Sequence, residues 1–322
     1  MRTENYGIVI DIGGTTLNIA MYEIDTDFLI TKAACYNVQQ QVRKGKENLY
    51  NQIDKVIKTC KEKIKKPQRV NKIIIGCPGN FSRENYTLEK GSAKQLSHTK
   101  NEFDHINIWE YFHKLCQEET LYLYNDAKLQ CIGGIICNNL REKSIGYIGI
   151  GTGLGGALCE ISSSGKISFV GDGHISDLNI GNIGEKESRA EDHLSGRYIQ
   201  NITTHSPKEI NSSNQLLKKH RSLFEEMGIT LADIIIRLQK KNIKKVKNKR
   251  AWSDETSEKI SQCNTYLIGG SVANKGTIGK IIQQTAKTHL YKHSPMPIKL
   301  IALEQPDKVA LTGGLYLCYE QC

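Results

Sequence analysis

Apolar runs rich in β-branched residues alternate with glycine turns along the chain. Tyr6–Ile10 ends at Asp11 and is followed by a Gly-Gly-Thr-Thr turn, from which a second apolar run, Leu17–Tyr22, departs. Ser144–Ile150 leads in the same way into a glycine-rich turn and then into Ala157–Ile161. Each pair of runs predicts two strands joined by a glycine tip. Two such hairpins, about 140 residues apart, predict an internal duplication.

Amphipathic helices and further strands are predicted between and after these hairpins. The apolar residues of Lys46–Lys65 fall on one helical face, and Thr230 is a candidate N-cap for a helix over Leu231–Gln239. Short apolar runs at Lys72–Ile75 and Leu121–Tyr124 predict strands. Strands that alternate with helices indicate the α/β class.

Length and composition limit the class of protein. The 322 residues suggest about two domains, at roughly 150 residues per domain. Hydrophobic residues make up 39% of the chain and charged residues 24%, a balance that excludes a disordered or fibrous protein. The sequence has no run of roughly 20 apolar residues and no apolar leader. We therefore expect a cytoplasmic protein without a membrane span.

The charge balance is basic, because 44 Lys and Arg residues face 34 Asp and Glu residues, a net charge of +10. Much of the excess lies in Lys58–Lys72 and in Lys240–Arg250. Neither segment is interleaved with aromatic residues, as a base-stacking surface would be. We interpret both as solvated helix ends and loops; contact with an anion or a nucleic acid is the alternative.

The ten cysteines are dispersed through the predicted strands and helices. No Cys-x-x-Cys pair occurs, and the closest spacings, Cys131/Cys137 and Cys318/Cys322, do not match a structural zinc site. A chain of this length can build its core without disulfides. We expect reduced, mostly buried thiols.

The glycine turns at the strand ends are typical of phosphate-binding loops, because glycine lets backbone N–H groups approach an anion closely. The first turn adds the Asp11 carboxylate and two threonine hydroxyls, which suit a Mg²⁺-bound polyphosphate. A further glycine pair stands at Gly269-Gly270. The pattern is not a Walker A loop, since Gly-Lys-Ser/Thr is absent, and a strand follows the glycines where a Rossmann fingerprint requires a helix.

Taken together, these motifs resemble the ROK family (repressors, open reading frames and kinases) of the actin-like, sugar-kinase superfamily. The resemblance covers nearly the whole chain. It is closest to the zinc-free, bacterial-type glucokinase branch. The motifs that carry it are Asp11–Thr15, Asn125-Asp126-Ala127, Gly151–Ala157, Gly173-His174, Glu191–Arg197, Leu267–Ala273 and Gly313-Gly314.

Three features depart from the family pattern. The Glu of the Glu-x-Gly-His motif falls at Gly171, so one expected sugar contact is missing, and Asp172 is a candidate substitute. Ser176–Arg189 contains no cysteine, which predicts no structural zinc. Only ten residues precede Asp11, which argues against a helix-turn-helix and the repressor branch.

The resemblance implies a role for each matching residue. Asp126 is the expected catalytic base, and the alternative from spacing alone is that it caps the following helix. Asn125, Asp126, His174 and Glu191 are the expected sugar-binding residues. Asp11 is expected to help hold Mg²⁺, directly or through water. The expected nucleotide-binding residues are Asp11, Gly13, Gly14, Thr15, Thr152 and Gly153 at the phosphates, with Gly269 and Gly270 nearer the adenosine.

The resemblance also implies two RNase H-like α/β domains of the actin and hexokinase type that close over the substrate. We place residues 1–125 plus 309–322 in a smaller domain and residues 126–308 in a larger one. The expected activity is that of a glucokinase, with ATP and Mg²⁺ as cofactors, in a homodimer without membrane or nucleic-acid partners. The alternatives are a kinase of fructose, mannose, glucosamine or an N-acetylhexosamine, and a sugar-sensing pseudokinase.

Overall fold

A computed structural model describes residues 5–13, 16–24, 28–32, 36–37, 45–64, 69–82, 85–90, 92–93, 103–116, 119–171, 175–183, 186–241, 254–274 and 276–320. The chain separates into two compact units, Met1–Cys137 with Asp307–Cys322, and Asn138–Pro306. These are called unit 1 and unit 2. The helix that begins at Asp126 belongs to unit 1, although the division made from the sequence assigned it to the larger domain.

Unit 1 is built on a mixed six-stranded sheet that includes the first predicted hairpin. The sheet order is β3-β2-β1-β5-β6, with β4 paired to β2. Strand β2 runs antiparallel to β1 and to β3, whereas β5 and β6 run parallel to β1. The strands are β1 (Asn5–Ile12), β2 (Thr16–Glu23), β3 (Phe28–Lys32), β4 (Tyr36–Asn37), β5 (Arg69–Cys77) and β6 (Thr120–Asn125).

The helices of unit 1 are α1 (Lys46–Lys61), α2 (Ile108–His113), α3 (Asp126–Cys137) and, near the end of the chain, α10 (Pro306–Glu320). Glycines allow α3 and α10 to cross backbone to backbone. A Cβ on Gly133 would overlap the carbonyl oxygen of Val309, and one on Gly313 would overlap that of Leu129. The predicted Gly313-Gly314 signal therefore marks a helix packing site in this unit.

Unit 2 repeats the strand order of unit 1. Its five-stranded sheet has the order β9-β8-β7-β12-β13, in which β7, β8 and β9 are antiparallel and β12 and β13 run parallel to β7. The strands are β7 (Ser144–Ile150), β8 (Leu154–Ile161), β9 (Ile167–Phe169), β12 (Thr265–Gly269) and β13 (Lys299–Ala302), and β10 (Asn179–Ile183) pairs separately with β11 (Lys186–Arg189). The recurring order supports the internal duplication, and the α/β class is confirmed.

The helices of unit 2 are α4 (Gly196–Thr203), α5 (Pro207–Asn211), α6 (Asn214–Lys219), α7 (Arg221–Gln239), α8 (Asp254–Ser261) and α9 (Gly276–His293). The predicted start at Thr230 is wrong, because α7 begins at Arg221. Phe224 and Met227 extend its buried face, and Gly228 lies where α9 comes close, since a Cβ there would be 2.6 Å from the Ile282 carbonyl oxygen.

Each unit has its own hydrophobic core. The eight cysteines in the described part of the chain are free thiols, and Cys137 is the exposed one among them. None of the helices described is both long and apolar enough to cross a bilayer. Most of Lys240–Arg250, together with Gly14, Thr15, Asp172, Gly173 and His174, lies outside the described residues.

Candidate functional site

The first hairpin of unit 1 places a carboxylate beside a tight glycine turn. The Gly13 N–H donates to the carbonyl oxygen of Thr16 at 2.8 Å, which closes the tip. Asp11 precedes the turn at the end of β1 and is only 5% exposed. An acidic side chain beside a glycine turn can serve a cation-bound phosphate.

Asn18 connects Asp11 to a second carboxylate that is distant in sequence. Asn18 is the cross-strand partner of Asp11 and is 1% exposed. Its Nδ2 donates to Asp11 Oδ2 at 3.5 Å and to Asp307 Oδ1, at the start of α10, at 3.3 Å. One buried amide therefore lies between two acidic groups.

Burial and neighbouring charge raise the pKa of Asp11 to about 8. The loss of solvent around the carboxylate is the largest cause, and the negative charges of Asp126 and Asp307 add to it, while the Asn18 hydrogen bond acts in the opposite direction. These surroundings favour the protonated form of Asp11. A cation placed beside it would lower its pKa and stabilise its ionised form.

Asn125 performs the capping role that the sequence left open for Asp126. Its Oδ1 accepts the Ala127 N–H at 3.0 Å, and its Nδ2 donates to the Gly79 carbonyl oxygen at 3.0 Å. The amide therefore caps α3 and fixes the Pro78-Gly79 turn. It retains one N–H and one oxygen lone pair for other partners.

Asp126 is the first residue of α3 and lies close to β5. Its Oδ1 also accepts the Ala127 N–H, at 3.0 Å. Gly76 leaves room for this first turn, because a Cβ there would be 2.5 Å from a methyl group of Leu129. Burial raises the pKa of Asp126 to about 6, opposed by hydrogen bonds from the amides of Ala127 and of Asp126 itself. The buried Cys77 thiol has its pKa raised by burial and by the Asp126 charge.

Two glycine turns of unit 2 lie side by side at the carboxyl ends of β7 and β12. The Gly151 N–H donates to the Gly153 carbonyl oxygen at 2.9 Å, and Val272 and Ala273 both donate to the Ile150 carbonyl oxygen. Gly270 has a φ of 88° and leaves no space for a Cβ against Ile150. The structure thus brings Thr152 and Gly153 near the turn that holds Gly269 and Gly270.

Glu191 is held by hydrogen-bond donors from three directions in unit 2. It is 8% exposed, in a short 3-10 helix over Ala190–Asp192. Its Oε1 accepts from Arg197 Nη2 at 2.7 Å and from the Leu154 N–H at 3.4 Å, and its Oε2 accepts from Arg189 Nη2 at 2.9 Å. The same Arg189 nitrogen is 2.9 Å from Asp177 Oδ1.

The Glu191 cluster is joined to the turn at Gly151. The Gly196 N–H donates to the Gly151 carbonyl oxygen at 2.7 Å, and the Arg197 N–H donates to that of Thr152 at 3.3 Å. A Cβ on Gly196 would lie 2.9 Å from the Gly151 oxygen. The Ser-Gly step before α4 therefore permits the close contact between this helix and the glycine turn.

Gly171 occupies the position where the family pattern has a glutamate. Its φ is 60°, and a Cβ would lie 2.7 Å from Thr256 Oγ1 and 2.8 Å from Thr256 Cγ2. Thr256, on α8, is buried. A glutamate could be accommodated here only after both the backbone and Thr256 had moved.

Two separate sets of expected residues are therefore assembled. Unit 1 holds Asp11, Gly13, Asn125 and Asp126; unit 2 holds Thr152, Gly153, Glu191, Gly269 and Gly270. Sequence reasoning assigned no role to four polar residues that belong to the same hydrogen-bond networks, namely Asn18, Arg189, Arg197 and Asp307. A signal existed for Asn18, since a hairpin with its tip at residues 13–16 pairs positions 11 and 18.

The donor set of unit 1 fits a magnesium ion that is shared with a nucleotide. Within the described ranges, no three His, Cys, Asp or Glu side chains are arranged to hold a metal ion together. Mg²⁺ usually takes one or two carboxylates and completes its shell with phosphate oxygens and water. Asp11, beside a glycine turn and under the charges of two other carboxylates, is suited to that arrangement.

Comparison with known proteins adds a family and a fold. A ROK family model matches residues 7–321, and no curated protein matches the chain. The ROK hexokinase from Thermus thermophilus is 15% identical, with a TM-score of 0.67 over 98% of this chain and 100% of that one.

Two glucokinase structures are similar to the same extent. The ROK family glucokinase from Streptomyces griseus, in complex with glucose and AMPPNP, is 13% identical, with a TM-score of 0.61 over 98% of both chains. The glucokinase from Balamuthia mandrillaris, in complex with glucose, is 15% identical, with a TM-score of 0.66 over 98% of this chain and 94% of that one. At such identities the likeness shows the fold alone.

Proposed function

The chain belongs to the ROK family, and from that premise we propose that it is an ATP-dependent hexose kinase with D-glucose as the acceptor. The products are ADP and glucose 6-phosphate. The observation that carries the proposal is the state of Asp126. Asn125 caps α3, and burial brings the pKa of Asp126 to about 6, near the pH at which a general base works best.

Phosphoryl transfer demands positioning and charge stabilisation more than covalent chemistry. The oxygen of the sugar hydroxyl forms a bond to the γ-phosphorus of ATP, and Asp126 accepts the proton of that hydroxyl. The bond between the γ-phosphorus and the bridging oxygen breaks, and ADP leaves with that oxygen. Asn125 offers its remaining N–H and lone pair to the sugar. Backbone donors at Thr152 and Gly153 bind phosphate oxygens, whereas the Gly13 N–H is already used to close the first turn on the Thr16 carbonyl oxygen.

Asp11 is the residue proposed to hold Mg²⁺, directly or through a water molecule. The ion supplies positive charge that offsets the charge developing on the transferred phosphoryl group. Asn18 restrains the Asp11 carboxylate by its hydrogen bond. Glu191 is the proposed sugar ligand of unit 2, and its guanidinium partners keep the carboxylate in one orientation.

A different acceptor sugar is the second candidate, and Gly171 favours it. Where a glutamate is expected to bind a hydroxyl, this chain has a glycine with a left-handed backbone that Thr256 covers. Polar groups in a sugar site discriminate among acceptors because an unsuitable sugar leaves buried donors or acceptors unpaired. Fructose, mannose, glucosamine or an N-acetylhexosamine are therefore compared with glucose.

The deciding experiment measures ADP release with each of these sugars, for the wild type, D126N and D54N. Asp54 pairs with Lys58 on the surface of α1, so D54N is a matched change of charge away from the site. We expect D126N to lower kcat about 100-fold or more while the sugar still binds, and D54N to act like the wild type. Ordinary turnover in D126N would refute the base assignment, and no turnover with any sugar would favour a sugar-sensing protein.

A further inference from the structure

Asn274 follows the Gly269-Gly270 turn, and its backbone is fixed there. Its N–H donates to the Gly270 carbonyl oxygen at 3.1 Å. The adjacent Ala273 carbonyl oxygen accepts from the Gln283 side chain at 2.7 Å. The position of the residue is therefore set by contacts that do not involve its own carboxamide.

The carboxamide of Asn274 has no hydrogen-bond partner in the described part of the protein. Neither Oδ1 nor Nδ2 is reached by solvent, and neither has a partner. Nearby Asn211 behaves differently, since its Oδ1 accepts the Ile278 N–H at 3.1 Å. A buried donor and a buried acceptor left together without partners are destabilising, and such groups in folded proteins call for an explanation.

We propose that Asn274 recognises the adenine base of the nucleotide, an inference that rests on the ATP-binding role given above to the neighbouring glycine turns. A carboxamide presents one donor and one acceptor side by side. Adenine presents the matching pair, the N7 acceptor and the N6 amino donor. Asn274 as a whole is only half-buried. Recognition of the base requires the side chain to rotate so that the buried carboxamide faces the bound nucleotide.

The same geometry selects against guanine. Guanine carries two acceptors, N7 and O6, on that edge. A carboxamide that donates to N7 sets its own oxygen against O6, so one contact becomes repulsive. Asn274 thus gives the nucleotide site a preference for ATP over GTP that backbone contacts to phosphate cannot supply.

The test compares ATP with 7-deaza-ATP, which lacks the N7 acceptor, by calorimetry on the full chain with Mg²⁺ and without sugar. The wild type should bind 7-deaza-ATP about 10-fold more weakly than ATP. In N274L, and in N274A should N274L fold poorly, ATP should bind about 10-fold more weakly and the penalty for 7-deaza-ATP should vanish. Equal binding of the two nucleotides by the wild type overturns the proposal without any variant.

Stability separates recognition from a structural role. Leucine in place of Asn274 removes two unpartnered polar atoms, so the melting temperature of the nucleotide-free protein should rise by about 2–4 °C. The control N211L removes a satisfied carboxamide from the same region, so it should lower the melting temperature and keep the full penalty for 7-deaza-ATP. A fall in melting temperature for N274L, with the penalty intact, would show that Asn274 is structural.

These readouts are independent of sugar phosphorylation. If the protein shows the Asn274-dependent penalty but phosphorylates no sugar, this inference stands and the proposed function is wrong. A protein that phosphorylates a sugar but binds ATP and 7-deaza-ATP alike keeps the proposed function and loses this inference.

Discussion

Asn125 and Asp126 are adjacent residues that meet the same backbone N–H, yet only Asn125 stands in the capping position of α3. Both Oδ1 atoms lie 3.0 Å from the Ala127 nitrogen. Because Asn125 precedes the helix and also holds the Gly79 carbonyl oxygen, the helix start does not depend on the Asp126 carboxylate. Capping thus falls to Asn125, which leaves the Asp126 carboxylate available for the acid–base role proposed for it.

Replacement of Asn125 by alanine should therefore destabilise the protein more than D126N does. N125A removes the cap of α3 and the hydrogen bond to Gly79, a loss of about 1–3 kcal/mol in the free energy of unfolding. D126N retains an oxygen that can accept the Ala127 N–H, and it removes a buried charge. Urea denaturation of both variants measures the difference, and a larger loss in D126N than in N125A would contradict this division of roles.

The pH dependence of catalysis should follow Asp126. With a pKa of about 6, the base is protonated in acid, so kcat/KM should fall about tenfold per pH unit below pH 6 and level off above it. D126N should lack this limb at its low residual rate. D54N is the control, and it should reproduce the wild-type profile. An acid limb that persists unchanged in D126N would assign it to another group.

Stability of the metal-free protein should fall as the pH rises from about 4 to about 8. The folded-state pKa values of Asp11 and Asp126 are raised, so the folded protein binds protons more tightly than the unfolded chain. Their contribution is complete below the unfolded pKa of 3.8 and is lost as each carboxyl ionises.

The variant D11N, measured with EDTA present, tests this sign. It should flatten the pH dependence and raise the free energy of unfolding at pH 8 by about 2 kcal/mol or more. Mg²⁺ should stabilise the wild type at pH 8 more than it stabilises D11N. If the wild-type protein became steadily more stable toward pH 8 in EDTA, the surroundings would not raise the pKa of these carboxyls as described.

Arg197 should matter through Glu191. R197M leaves the buried Glu191 with one guanidinium partner, and since Arg197 is 34% exposed at its side chain we expect a loss of about 1–2 kcal/mol. In the double variant E191Q/R197M the loss should be smaller than the sum of the single losses, because both changes act on the same contact. Strict additivity in thermal or urea unfolding would indicate that the pair contributes nothing.

Gly313 should be intolerant of any side chain. Alanine there places a Cβ against the Leu129 carbonyl oxygen, so α10 and α3 must separate, and we expect a loss of about 3 kcal/mol or more. K308A, on the exposed side of the same helix, is the control and should stay within about 0.5 kcal/mol of the wild type. Equal melting temperatures for G313A and the wild type would mean that the crossing is looser than described.

Local pattern was sufficient for the hairpins, the α/β class and the strand end at Asn125, because strand periodicity and glycine tips are encoded within a few residues. The pairing of Asp11 with Asn18 follows from the same arithmetic. The contact of Asn18 with Asp307 spans 289 residues, and nothing near either residue announces it. The start of α7 could not be placed from the local pattern for a related reason. Gly228 lies inside this helix where α9 comes close, and the neighbouring sequence gives no sign of that contact.

The charge of the site was likewise beyond the reach of local pattern. Arg189 and Arg197 flank Glu191 in the sequence, but only the turn of the short 3-10 helix brings both guanidinium groups onto one carboxylate. The unpartnered carboxamide of Asn274 is invisible in a sequence, because the absence of a partner is a property of the packed structure.

The crossing of α3 and α10 has a consequence for the order in which the protein matures on the ribosome. Unit 2 is synthesised, except for its last residue, before the synthesis of α10 begins. Only then does the chain contain Gly313, the glycine against which α3 packs. The sheet of unit 1 must therefore wait for α10, while unit 2, which is synthesised between them, can already be folded. Premature termination before Pro306 should release a product in which unit 2 is folded and the sheet of unit 1 lacks the packing of α10.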